Sequence, residues 1–247
     1  MSKELTKKEN TDLALASDLE QWGQGSNLTS DAYELPRILL MQSNSPLVIE
    51  RKAALGDFLE TMGMSVIGSN KKPFELIPFY IEEKWLIKRK EGNQFKTKQI
   101  IDVTPANTSL AWEEEDGEGP IRRDRTLFVY CLLPEKLNNG VIIPFTIGFK
   151  RTSHKAGKYI ATRMDKYNRA ENLCPAAYTI KISGKITEKN GGTYLVAEAE
   201  TGRRTTQEEL KVALEMLKQV RSSKMVAQYV DDDFEGKEED TSYRGNY

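Results

Sequence analysis

Tyr178-Thr179-Ile180-Lys181-Ile182-Ser183-Gly184-Lys185-Ile186-Thr187, the turn Asn190-Gly191-Gly192, and Tyr194-Leu195-Val196-Ala197-Glu198-Ala199 make the clearest hairpin in the chain. Both runs are strand-like, and Asn-Gly supplies the positive φ that a tight reversal needs. Five more strand-like runs precede it, at residues 74–81, 84–90, 95–103, 126–133 and 141–149. Alternating or continuous apolar patterns of this length predict a mainly β (α+β) fold whose sheet closes or sandwiches.

Two helices are expected beside the sheet. Thr152 or Ser153 can cap a helix over residues 154–167. At the helical period Ala156, Ile160, Met164 and Tyr167 gather on one face, and Lys155, Lys158, Lys166 and Arg169 on the other. The second helix opens on Thr206-Gln207-Glu208-Glu209, a capping box, and places Leu210, Ala213, Leu214 and Leu217 at helical spacing. It is expected to run to about residue 228. Glu113-Glu114-Glu115-Asp116-Gly117-Glu118-Gly119-Pro120 cannot enter a core and reads as a surface loop. Order begins near Tyr33, with the apolar run Leu35-Pro36-Arg37-Ile38-Leu39-Leu40-Met41-Gln42. The expected organisation is a flexible leader over residues 1–30, one domain over 31–230, and a disordered acidic tail over 231–247.

Composition narrows the function. No apolar run approaches the roughly 20 residues that span a bilayer, and the first ten residues lack the apolar core of a signal peptide. No membrane partner and a cytoplasmic location are expected. Two cysteines without metal-ligand spacing, Cys131 and Cys174, read as buried thiols. With one histidine, His154, no zinc or other metal site and no cofactor are expected. Gly157-Lys158 lacks an upstream P-loop glycine and is followed by Tyr159, and neither a nucleophile elbow nor a paired-histidine motif is present. An enzyme is not expected, although a nuclease with dispersed carboxylates keeps a small share.

Charge points to a polyanion. From residue 231 onward Asp231, Asp232, Asp233, Glu235, Glu238, Glu239 and Asp240 face only Lys237 and Arg244, a net of −5 in a chain of net −1. The remainder is therefore basic by four charges. One basic cluster is strand-like: Lys84, Trp85, Lys88, Arg89 and Lys90, followed by Phe95, Lys96 and Lys98. Cations that track phosphates beside rings that stack on bases are what single-stranded nucleic acid requires. Trp85 reads equally as a core residue. The second cluster, Lys150, Arg151, His154, Lys155, Lys158, Tyr159 and Arg163, begins at a helix N-terminus, whose free N–H groups also attract phosphate. His154 is expected to contact phosphate rather than to catalyse. A third patch, Arg122-Arg123-Asp124-Arg125, reads either as a binding surface or as the neutraliser of the acidic run before it.

With these features the chain resembles phage-type single-stranded DNA-binding proteins. The resemblance rests on the basic and aromatic strands, on residues 35–42 and 144–155, and on a tail that carries Phe234 and ends in Tyr247. It implies an OB-fold-like barrel that holds single-stranded DNA without strong sequence preference in replication or recombination, in the host cytoplasm if the chain is phage-encoded. It also implies a tail, Asp231 to Asp240 with Tyr247, that recruits replication or recombination partners and competes with DNA. Arg244 departs from the acidic tip of that pattern. A strand-annealing protein and a DNA-mimicking inhibitor are the alternative classes.

Overall fold

The computed structural model describes residues 35–223 except 44, 93, 190 and 191. The expected leader and the acidic tail lie outside the described residues. Ten strands dominate: β1 (Arg37–Leu40), β2 (Phe58–Glu60), β3 (Ser65–Gly68), β4 (Phe74–Glu91), β5 (Gln94–Asp102), β6 (Glu113–Asp116), β7 (Gly119–Leu132), β8 (Phe145–Lys150), β9 (Tyr178–Lys189) and β10 (Gly192–Arg204). The helices are α1 (Pro46–Ile49), α2 (Pro134–Asn138), α3 (His154–Thr162), α4 (Asn168–Ala170) and α5 (Gln207–Ser223). The mainly β expectation holds, and the sheet is curled like a half-barrel.

The sheet runs β10-β9-β4-β7-β8-β1-β2-β3, with β5 added to β4 and β6 to β7. Every pair is antiparallel except β1 with β8. The two runs read at 74–81 and 84–90 are one strand, β4. Its start pairs with β9, its end with β5, and its other edge with β7. Pro78, which has no N–H to give a ladder, sits where the register with β7 shifts.

Period two explains why the β7 run reads as continuously apolar. Leu127, Val129 and Cys131 face a core with Phe145, Ile147 and Phe149 of β8 and Ala156, Ile160 and Met164. Phe128, Tyr130 and Leu132 face the opposite cluster, with Leu86 of β4 and Ala213, Met216 and Val220 of α5. A strand buried on both faces has no polar side to alternate with.

Helix α3 lies unusually close to the sheet. A side chain at Gly157 would place its first carbon 2.9 Å from Phe149 Cβ and 3.0 Å from Leu127 Cβ. The helix continues through a π-helical turn, Arg163–Tyr167, into α4. That wider turn changes which residue is buried after Met164: Asn168 turns inward and Tyr167 outward. Tyr167 thus leaves the apolar face that regular helical spacing predicts. In α5 the capping box forms as read. The Glu209 N–H donates to Thr206 Oγ1 at 3.2 Å and the Thr206 N–H to Glu209 Oε2 at 2.8 Å. Leu214 is exposed, and Met216 and Val220 take its place in the core.

Two further expectations are corrected. Residues 113–120 are not a loop but a hairpin of β6 with β7, in which Glu113 lies opposite Arg122 and pairs with it at 2.9 Å, and Glu114, opposite Ile121, is neutralised by Arg123 at 2.6 Å. Cys131 is buried, which pushes its thiol pKa up, but Cys174 is exposed in the turn before β9.

The free edge of β10 is joined to the rest of the chain at a seam made by side chains. Gln42 Nε2 donates to the Leu195 carbonyl at 3.1 Å, and the Leu195 N–H donates back to Gln42 Oε1 at 3.2 Å. Further along β10, the Ala197 N–H donates to Ser153 Oγ and the Thr201 N–H to the Tyr159 hydroxyl, both at 3.0 Å. The edge of β10 is thereby covered without another strand.

Candidate nucleic-acid interface

The strand-borne cations of the first cluster are largely neutralised within the chain. Lys84 bridges Asp102 at 2.5 Å and Glu82 at 3.2 Å. Arg89 makes a two-pronged contact with Asp116, at 2.9 Å and 2.7 Å, and reaches Glu118. The Arg89 hydrogen bonds hold the Asp116 carboxyl at about 2. Lys96 and Lys98 both bridge Glu91. Lys90 is exposed and makes no salt bridge among the described residues.

Trp85 and Lys88 are not surface residues, which corrects their place in a binding set. Trp85 is 5% exposed, its indole N–H donating to the Asn107 carbonyl at 3.1 Å. Lys88 is 2% exposed and pairs with Asp124 at 3.3 Å. Asp124, itself buried, also accepts from Arg151 Nε at 2.9 Å. Burial opposes the charge on Asp124, yet Arg151 and Lys88 outweigh it and hold the carboxyl at about 2. Arg151 adopts φ +49°, a left-handed backbone that turns the chain from β8 toward α3.

Helix α3 is different. Lys155 and Lys158 are exposed, as is Lys166 in the π-helical turn. Among the described residues no acidic side chain bridges any of the three. They stand on the side away from Ala156, Ile160 and Met164, so anchoring the helix presents them. Tyr159 is exposed on the same helix, its hydroxyl fixed by Thr201. Lys150 ends β8 and is half-buried. Arg163 is occupied: it contacts Glu171 at 3.0 Å and stacks over the Tyr178 ring at 4.4 Å. Arg169 pairs with Asp165. His154 meets Glu83 at 3.2 Å, beside the Arg125 bridge to the same carboxylate. Burial lowers the His154 pKa more than Glu83 raises it, so the ring is neutral near pH 7.

Sequence reasoning missed Trp112, which is 51% exposed immediately before β6. Arg122 lies between aromatic rings, its guanidinium carbon 4.3 Å from the Phe95 centroid and 4.9 Å from that of Trp112. A tryptophan followed by four acidic positions is a poor core candidate, which is the one signal the sequence carried.

No described helix is long and apolar enough to cross a membrane, and no described group of three or more His, Cys, Asp or Glu residues could hold a metal ion. The tail residues Asp231, Asp232, Asp233, Phe234, Glu235, Glu238, Glu239, Asp240 and Tyr247 lie outside the described residues.

Fold and surface together define a mainly β protein that displays one cationic helix. The chain belongs to the Pam3 phage gp34-like protein family, whose sequence model matches residues 6–226. No curated protein and no solved structure matches it.

Proposed function

We propose that the protein binds single-stranded DNA without strong sequence preference, along the exposed face of α3, in phage replication or recombination. The observation that carries this reading is the set Lys155, Lys158 and Lys166, exposed on a helix fixed against the sheet and unmatched by described carboxylates. The helix backbone is already ordered, so binding orders only the lysine side chains, and each phosphate neutralised releases counterions. Tyr159 adds a ring whose hydroxyl is held, and Lys150 and Arg151 extend the positive surface to the start of the helix. Contacts to about five phosphates give a slope of log affinity against log salt near −3.5.

The test is a fluorescence titration with single-stranded and duplex DNA at two salt concentrations. Salt-sensitive binding that prefers the single strand supports the reading, and affinity indifferent to salt overturns it. In the same reading the acidic tail competes with DNA for the helix. Removing residues 231–247 then tightens binding at low salt, and a truncated chain of unchanged affinity assigns the tail to partners alone.

A further inference from the structure

We infer that Trp112 is a stacking platform for an unpaired nucleobase, next to the phosphate-binding helix. This rests on the single-stranded DNA reading and adds a contact to base rather than backbone.

Two interactions hold the backbone at Trp112 and two hold its ring, and all four come from the triplet Arg122-Arg123-Asp124. The Arg123 N–H donates to the Trp112 carbonyl at 2.8 Å, and Arg123 Nη1 to the Ala111 carbonyl at 3.2 Å. The Arg122 guanidinium lies over the ring, itself backed by Phe95. The indole N–H points to Asp124 Oδ1 at 3.4 Å. An indole held this firmly and still half exposed is an unusual use of the largest apolar side chain, which ordinarily goes inward. With Arg122 over one face, the half-exposed ring receives a second ring on the other, at little further entropic cost.

The placement joins it to the helix. Asp124 Oδ1 accepts from both Trp112 and Arg151, and Arg151 begins the turn into α3. Trp112 and Arg151 thus meet the same carboxylate oxygen, and a strand whose phosphates follow Lys158 and Lys155 toward the start of α3 runs toward the indole. The apolar ring offers nothing to a phosphate and nothing to a paired base, whose faces are already stacked. The ligand it selects is a single strand with an accessible base.

The test uses the tryptophan emission of the full chain in a Trp22→Phe background, taken as the wild type for every comparison, where the emitters are the buried Trp85 and the exposed Trp112. The probes are oligothymidine, an abasic oligomer of equal length, and a duplex. Oligothymidine is expected to quench emission in the wild type, and the abasic oligomer to bind without quenching. Trp112→Phe keeps a ring and is expected to bind oligothymidine within about threefold of wild type while the quenching disappears. Trp112→Leu is expected to lose between about 5-fold and 150-fold in affinity for oligothymidine, the worth of one stacked base, and little for the abasic oligomer. Undiminished quenching in Trp112→Phe, or equal affinity of Trp112→Leu for oligothymidine, overturns the platform and leaves the helix reading standing. A wild-type chain that binds none of the probes overturns both.

Discussion

The strands around residues 84–98 and the helix α3 are comparably rich in lysine and arginine, yet only the helix retains a run of unmatched cations. In the strands each cation but Lys90 finds a carboxylate: Lys84 at Asp102, Lys88 at Asp124, Arg89 at Asp116, and Lys96 and Lys98 at Glu91. On the helix Lys155, Lys158 and Lys166 meet none among the described residues. A sheet brings together residues far apart in sequence, so a basic stretch there says little about the field above it. A helix mostly sets its neighbours within four positions, so its charge pattern can be read directly.

The contrast can be broken most severely at Asp124, the buried carboxylate that joins the two regions. Asp124→Ala leaves Lys88 buried without it and is expected to cost about 3–5 kcal/mol in urea unfolding. Because Asp124 is held at about 2, below its ordinary 3.8, its contribution is complete above pH ~4 and is lost as pH falls toward 2. That loss is on the order of 2 kcal/mol, and Asp124→Asn removes it from the acid-unfolding curve. Next in size, replacing Lys155, Lys158 and Lys166 together with alanine is expected to lower single-stranded DNA affinity roughly 100-fold at 0.1 M salt and to flatten the salt slope by about 2. Titration at several salt concentrations measures both.

Gly157→Val drives a branched side chain into Phe149 and Leu127, and an overpacked contact of this kind costs about 1–3 kcal/mol, read from thermal melting. It also lifts the lysines from their fixed positions, so affinity falls although no cation is removed. The smallest effect is expected from Lys84, Lys96 and Lys98 changed together to alanine. Being partnered, they should alter DNA affinity by less than about threefold. A loss matching that of the helix variant would erase the distinction between the two regions.

Much of the fold was legible in the sequence because its signals are local. The 178–199 hairpin, the Thr206 and Glu209 capping box, and the buried stripe Ala156, Ile160 and Met164 all stand as read. The errors have separate causes. Tyr167 was misplaced because a π-helical turn shifts the period, Leu214 because the curl of the sheet decides which stripe of α5 it meets, and the 113–120 hairpin because its acids are neutralised from across the ladder. For the candidate site, the exposure of the helix lysines was legible. The burial of Lys88 and the display of Trp112 were not, since both depend on Asp124 and its neighbours on β7.

The seam at Gln42 has a consequence for how the chain comes to be made. It joins residues 153 positions apart, so a growing chain cannot close it until the last hairpin has emerged. Between that moment and closure β10 carries an open row of amides, and a sibling chain nearby is as good a partner as Gln42. Exchange of C-terminal hairpins between copies is the expected accident, visible as a refolding yield that falls with protein concentration. Once shut, the seam ends that competition with the side chains of Gln42, Ser153 and Tyr159, at no cost in additional strands.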